Sequence, residues 1–434
     1  MIERIPLLRR LWGHSSSRVS INAVALLGGQ VGARLLNLWL IARLARALGV
    51  EELGRYLLAM TAQAIALAVA DLGLNTFTTR ELAKEQVPAR DAVWGAALGL
   101  KVASAIVGVL VLNAVVAPLF PGERQTLISI VSFSLLPDGL NGIATALVKA
   151  RQRMEVSSAI NLGVRTLYVV VGLLLVGQGY GTRALLAAYG AVSVCGTVAF
   201  ALLLHRWGVR TAWWALPRRW RPVLRESTPF AVTSMATMLY TRLDLLVLSY
   251  WHGDLDAGLY GAAYRLWEAL GMIPSSYLDA LFPELARSGA GPAGRQRLRS
   301  LYGRGRRVLW CLIPLLVVPC LIAAPFILSL LYGRTPNTGV SVGLFRLLLL
   351  AFPFTFLYLL NGHALYAMGA QRRVTVTMVI VTAVNGLGNL LLVPPWRYWG
   401  AAGVALGSEL LLFVLLQIGV QRLVLGQAED EAQR

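Results

Sequence analysis

Val308-Leu-Trp-Cys-Leu-Ile-Pro-Leu-Leu-Val-Val-Pro-Cys-Leu-Ile-Ala-Ala-Pro-Phe-Ile-Leu-Ser-Leu-Leu331 carries no charge along its whole length. At about 1.5 Å of rise per residue, a helix made from it covers the roughly 30 Å of a bilayer's hydrocarbon with a few residues to spare. Comparable runs recur, among them Ile21 to Ala42, Tyr56 to Thr78 and Val374 to Val393. The 434-residue chain as a whole is 57% hydrophobic and 14% charged, outside the range of soluble domains. Alternating segments of the kind that build membrane barrels are absent. The reading is an all-α integral membrane protein.

Twelve spans are predicted, at 20–42, 55–78, 92–117, 126–148, 156–178, 183–205, 227–250, 258–282, 308–331, 340–363, 372–394 and 399–421. The first follows Arg4, Arg9, Arg10 and Arg18 and exceeds a signal peptide's apolar region, so it reads as an uncleaved span. The net charge of +19 would point to nucleic acid in a soluble protein. Here most Lys and Arg fall in the tails and the even-numbered loops, above all Arg206 to Arg225 and Arg287 to Arg307. That is the positive-inside pattern, with both termini cytoplasmic and the inner leaflet's anionic lipids as neighbours. A nucleic-acid partner is not expected. Cys195, Cys311 and Cys320 lie inside apolar spans and the four histidines are scattered, so neither a disulfide framework nor a metal site is implied.

The chain also resembles itself. Gly54-Arg-Tyr56 and Arg80-Glu-Leu-Ala-Lys84 match Gly258-Leu-Tyr260 and Pro283-Glu-Leu-Ala-Arg287 in order and spacing, and Ala150-Arg-Gln-Arg153 matches Gly369-Ala-Gln-Arg372. Such an offset implies two six-helix bundles of like orientation, related by a pseudo-twofold axis along the membrane normal. The division is a basic tail (1–19), an N-terminal bundle (20–206), an interfacial linker rich in Trp and Arg (207–226), a C-terminal bundle (227–422) and a second tail (423–434). Two bundles about a central cleft can rock, which is transporter architecture.

Charges within the spans bear on what is carried. Arg34, Lys101, Arg165, Arg242, Arg265 and Arg346 are basic; Asp71, Asp138, Asp244, Glu268, Asp279 and Glu409 are acidic. A charge at mid-bilayer costs at least about 2.5 kcal/mol, so most must pair, snorkel or line water. Arg265 lies about 10 Å from the outer end of its span, and Arg34 and Arg242 about 12 Å. Arg265 and Glu268 share a helical face at i,i+3; they are either a structural pair or a cleft pair whose arginine can exchange its partner for an anion. Arg242 and Asp244 point to different faces and each needs a partner elsewhere; Arg34 is one candidate for Asp71. Glu409 is either a protonatable coupling site or a neutral buried acid, and Arg346 is either a cleft residue or an interfacial anchor. Guanidinium binds phosphate bidentately and keeps its charge when desolvated, as an anionic headgroup such as a pyrophosphate requires.

Ala47-Leu-Gly-Val-Glu-Glu-Leu-Gly-Arg-Tyr56, Asp71-Leu-Gly-Leu-Asn75, Tyr240-Thr-Arg-Leu-Asp244, Gly258-Leu-Tyr-Gly-Ala-Ala-Tyr-Arg265, Phe282-Pro-Glu-Leu-Ala286, Asn389-Leu-Leu-Leu-Val-Pro394 and Gly400-Ala-Ala-Gly403 resemble bacterial polysaccharide transporters, over nearly the whole chain. These are the Wzx-type flippases of the multidrug/oligosaccharidyl-lipid/polysaccharide exporter superfamily. The resemblance implies a flippase of the bacterial inner membrane that moves polyprenyl-pyrophosphate-linked oligosaccharide, an O-antigen or exopolysaccharide repeat unit, to the outer leaflet by alternating access. Glycosyltransferases and a glycan polymerase would be its partners, a proton or sodium ion its drive, and no cofactor is needed. Related flippases of lipid-linked peptidoglycan precursors use arginines of spans 1 and 8 around the diphosphate, which carries over to Arg34 and Arg265; Arg242 joins them by depth. Asp71, Asp244 and Glu268 are the candidates for coupling or counter-charge. The alternatives are a multidrug/cation antiporter of the same superfamily, whose cleft would be acid-lined, and a peptidoglycan-precursor flippase. An enzyme such as a polymerase is not expected, since the odd-numbered loops are short and no nucleophile-base set or phosphate-binding glycine loop occurs.

Overall fold

In a medium without water every backbone N–H and C=O must find a partner inside the chain, and a helix meets that demand within each segment. The computed structural model describes residues 36–84, 90–209, 216–288, 292–333 and 336–425 together with position 32, and every regular element among them is helical. Arg34 and most of the first span lie outside the described residues, as do the two tails. The helices are α1 (36–48), α2 (Val50–Asp71), α3 (Leu74–Leu82), α4 (Arg90–Val111), α5 (Glu123–Ser132), α6 (Leu135–Ala150), α7 (Met154–Gly177), α8 (Thr182–Arg206), α9 (Leu216–His252), α10 (Asp254–Leu270), α11 (Met272–Ala286), α12 (Pro292–Tyr332), α13 (Thr338–Leu349), α14 (Phe352–Ala367) and α15 (Gln371–Val420).

Nine segments among the described residues are long and apolar enough to cross a membrane. Of the three spans by which this falls short of the expected twelve, the first lies mostly outside the described residues and the other two have physical causes. Span 8 is interrupted at Gly271 and leaves two helices, each too short to be counted. Spans 11 and 12 are joined as one 50-residue element, α15. That element folds back on itself. Asn385 Nδ2 donates to Ser408 Oγ at 3.0 Å, whereas 23 residues of straight helix would hold them about 35 Å apart. The reversal falls at Arg397 (φ 53, ψ −137) behind Pro394 and Pro395. Residues 216–226, read from sequence as part of the connector, are the first turns of α9.

Packing is inverted relative to a soluble protein. Leu315, Ile322 and Phe326 on α12 are 67%, 74% and 66% exposed, a face that only lipid can cover. Polar side chains such as Gln63, Asn361 and Asn389 are buried instead. The centre is built by α2, which packs against α10, α9 and α5, while α9 also packs along α15.

Four helix breaks bear on function. α2 ends in a left-handed turn at Leu72 (φ 50) and Gly73 (φ 73) before α3 resumes. A Cβ at Gly73 would lie 2.3 Å from the Ser227 carbonyl oxygen of α9, so glycine is required there twice over. Comparable interruptions divide α5 from α6, α10 from α11 and α13 from α14. Broken helices at membrane depth are tolerated where they are buried in protein or line a cavity, and three of these breaks border polar cavities.

Candidate functional site: an arginine-lined cavity

Alternation around α9 and α10 decides which charges meet. Residues 242 and 244 face different sides of α9, so Arg242 and Asp244 diverge. Asp244 is buried between α9 and α10, where it accepts from the Tyr260 hydroxyl and from the Leu245 N–H at 2.7 Å. Arg242 instead turns toward α10 and its Nη2 donates to Glu268 Oε1 at 2.9 Å. One turn before Glu268, Arg265 Nη1 donates to Oε2 at 2.7 Å. Each carboxylate oxygen of Glu268 thus holds one guanidinium.

These three side chains line a cavity of about 320 Å³ with Asn37 and Ile41 of α1 and Arg165 of α7. Three guanidinium charges against one carboxylate leave an excess of two positive charges on its wall. Each guanidinium has five donors, and Glu268 takes one from Arg242 and one from Arg265. Among the described residues the site is therefore rich in donors and positive charge that Glu268 does not take up. Arg165 also lies 6.0 Å from the Tyr168 ring centroid. Sequence reasoning had placed it among the intramembrane arginines without giving it a role. Nothing in the sequence spacing brings it level with Arg265.

The other charges have separate places. Asp71 pairs with Lys101 of α4, both buried, so its partner among the described residues is a lysine rather than an arginine. Asp138 accepts from Gln63 at 2.7 Å, Tyr189 at 2.9 Å and Ser193 at 2.6 Å. Glu409 accepts from Tyr240 at 2.7 Å and Thr355 at 2.6 Å. Arg346 donates to the Leu321 carbonyl from an exposed position, and Asp279 sits 3.6 Å from His363. Among the described residues no group of three or more His, Cys, Asp or Glu is placed to hold a metal ion.

At the N-terminal ends of α2 and α10 the two helices touch by main chain. A Cβ on Gly54 would stand 1.8 Å from the Asp254 carbonyl oxygen, and one on Gly258 2.0 Å from that of Val50. Each glycine thus meets the residue four before the other. Around this crossing Arg55 bonds Glu51 (2.7 Å), Glu52 (2.5 Å), Glu123 (2.9 Å) and Asp254 (3.2 Å), while Arg124 reaches Asp254 at 3.3 Å and Arg183 reaches Glu123 at 3.1 Å. Arg397 makes two bonds to Asp256, at 2.7 and 2.6 Å. Burial lifts the Asp254 carboxyl above the usual carboxylate range, with Arg124 and Arg55 drawing it back. These ion pairs tie α2, α5, α8, α10 and α15 together at this end of the molecule. The arginine cavity begins about 10 Å further along α10.

The described residues thus form a helical membrane fold with an interior charged cavity and one end tied by ion pairs. The fold is shared with lipid II flippase MurJ in an inward closed conformation, at a TM-score of 0.77 and 14% identity over 92% of this chain and 87% of that one. An inward-facing multidrug resistance MATE family transporter of the MOP superfamily aligns at 0.70 and 14%, over 92% and 96%. A MOP superfamily transporter from Pyrococcus furiosus, described as having a binding pocket of reversed polarity, aligns at 0.61 and 13%, over 98% and 99%. No curated protein matches the sequence. The family model for polysaccharide biosynthesis proteins matches residues 20–288, and that for lipid II flippase MurJ matches residues 256–431. The chain belongs to the polysaccharide biosynthesis protein family. It is a multi-pass membrane flippase or transporter, not an enzyme.

Proposed function

We propose that the chain is a flippase that moves polyprenyl-pyrophosphate-linked oligosaccharide from the cytoplasmic to the outer leaflet of the bacterial inner membrane. The observation that carries this reading is the cavity walled by Arg165, Arg242 and Arg265, with Glu268 as the one acidic wall residue. A pyrophosphate bears at least two negative charges, which balance the excess on that wall and take up donors that Glu268 leaves unused. Arg34, expected on the first span, would add a fourth guanidinium. A cationic drug would meet net repulsion there, which disfavours the antiporter reading.

In this reading the chain has twelve spans in two pseudo-symmetric bundles, with both termini cytoplasmic. The end tied by Arg55 and Asp254 is the outer one, and the state described is closed to the outside. Alternating access breaks that seal once the headgroup has displaced Glu268 from its arginines. Asp71, Asp244 and Glu268 are the coupling candidates, of which Glu268 touches the site directly. Glycosyltransferases would supply the substrate and a polymerase would consume it. The match of the MurJ family model to residues 256–431 favours one second reading, a lipid-linked peptidoglycan precursor as cargo. Both cargoes present a pyrophosphate.

Reconstitution into vesicles tests this directly, with fluorescent lipid-linked oligosaccharide and lipid II as parallel cargoes. Translocation of the first alone supports the oligosaccharide assignment, and of the second alone overturns it. Each lost charge-assisted hydrogen bond is worth about 1.5–3 kcal/mol. Arg242→Gln and Arg265→Gln should therefore each slow transport by roughly ten- to a hundredfold. Wild-type rates in both variants would remove the pyrophosphate site.

A further inference from the structure

We infer that a second cavity, inside the bundle formed by α2, α3, α6, α7 and α8, receives the sugar attached to the pyrophosphate. The inference rests on the pyrophosphate reading above. The cavity measures about 680 Å³ and is lined by Asn75, Thr79, Asp138, Asn141, Thr145 and Asn161, with Tyr189 on one wall. Its size falls within the usual range of small-molecule sites. None of its amide or hydroxyl residues was singled out from sequence, because uncharged polar side chains in a helix give no periodic signal.

The wall's chemistry selects among occupants. Arg80 and Lys149 also line the cavity, but Arg80 is paired with Glu226 and Lys149 is matched in charge by Asp138, so the wall offers no net charge to a second anion. An acyl or prenyl chain would strand the amides without partners. A bare cation would find one carboxylate that already accepts three hydrogen bonds. A pyranose both donates and accepts around its rim, as asparagine and threonine side chains do. Free capacity is on hand. Asn75 Oδ1 is buried without a hydrogen-bond partner, and Asn161 Nδ2 makes only a 3.4 Å bond to Thr145 Oγ1. Asn141, by contrast, is tied to the Ser193 carbonyl and to Thr197 and holds the wall in place.

Position links the two cavities. Arg165, in the wall of the first, stands 6.0 Å from the Tyr168 ring; Tyr168 meets Tyr189 edge to face at 5.2 Å; the Tyr189 hydroxyl donates to Asp138 in the second. Tyr168, itself buried, and Tyr189 form the partition between the cavities, and they must part for a sugar joined to the pyrophosphate to cross it.

The test is titration calorimetry on the full chain in detergent. The probes are geranyl pyrophosphate and four geranyl-pyrophosphate monosaccharides bearing glucose, galactose, N-acetylglucosamine and N-acetylgalactosamine. At least one sugar-bearing probe should bind about tenfold more tightly than geranyl pyrophosphate. The double variant Thr145→Val/Asn161→Leu should erase that preference and leave geranyl pyrophosphate binding unchanged. Equal binding of all five probes to the wild-type chain, or a preference that survives in the double variant, overturns the sugar site. If the double variant loses geranyl pyrophosphate too, Asn161→Leu alone, at an exposed position, decides by the same criteria. Failure of geranyl pyrophosphate to bind the wild-type chain overturns the pyrophosphate reading itself.

Discussion

Glu268 compensates the arginines in the place that a bound anion would take. It sits between two guanidiniums at 2.7 and 2.9 Å and is more exposed than either, at 37% against 14% and 18%. Removing its charge leaves two arginines uncompensated, which is costly until an anion arrives. Glu268→Gln should therefore lower the melting temperature of the apo protein, and added pyrophosphate should raise it by more than in wild type. Identical pyrophosphate shifts in the two proteins would show that Glu268 does not compete with the ligand. Lys101 poses the opposite case, since its pairing with Asp71 is buried away from the cavity. Lys101→Met should destabilise by about 3–5 kcal/mol, and Lys101→Met/Asp71→Leu should recover most of the loss. If that double variant transports with unaltered ion dependence, Asp71 has no part in coupling. The i,i+3 relation of Arg265 and Glu268 was legible from spacing alone. The third member was not, because whether Arg242 or Asp244 turns toward α10 depends on how α9 is rotated, and packing sets that.

At the scale of the element, the informative glycines are those that meet another backbone. Gly54 and Gly258 stand at matching places in the sequence repeat, and each faces a carbonyl of the other helix. Even the smallest side chain overlaps it. Gly54→Ala and Gly258→Ala should each cost about 1–3 kcal/mol through overpacking, read as a lowered melting temperature. Gly163 on α7 has nothing within 4 Å of a built Cβ. Gly163→Ala should instead stabilise by about 0.5–1 kcal/mol through the helix backbone. Similar shifts at all three positions would mean that the crossing is not close-packed. Span existence could be read from apolar length, but the breaks at 72–73, 133–134, 271 and 350–351 could not. The first has a glycine at positive φ, and Pro137, Pro274 and Pro353 follow the others within three residues, but a lone glycine or proline does not by itself end a span. The others depend on neighbours that satisfy the freed backbone groups.

At the scale of the whole molecule, ion pairs tie elements that lie far apart in sequence together at one end, with Asp254 shared by Arg55 and Arg124. Opening that end must solvate Asp254 and separate the pairs. Ser249, buried beside them, reports on this. With Cys195, Cys311 and Cys320 replaced by serine, Ser249→Cys should react slowly with a membrane-impermeant maleimide. Adding Asp254→Asn should speed the reaction by about tenfold, the equivalent of about 1.4 kcal/mol of lost closure. An unchanged rate would mean that these ion pairs do not hold the end shut.

The contact between α2 and α10 has one further consequence. Most helix pairs mesh side-chain ridges into grooves, so that turning one against the other means climbing out of register. Where glycine meets carbonyl on both sides, there is little to unmesh. In the proposed transport cycle the pair would act as a smooth bearing, in which the surrounding charges set how often the molecule turns and the two glycines set whether it can.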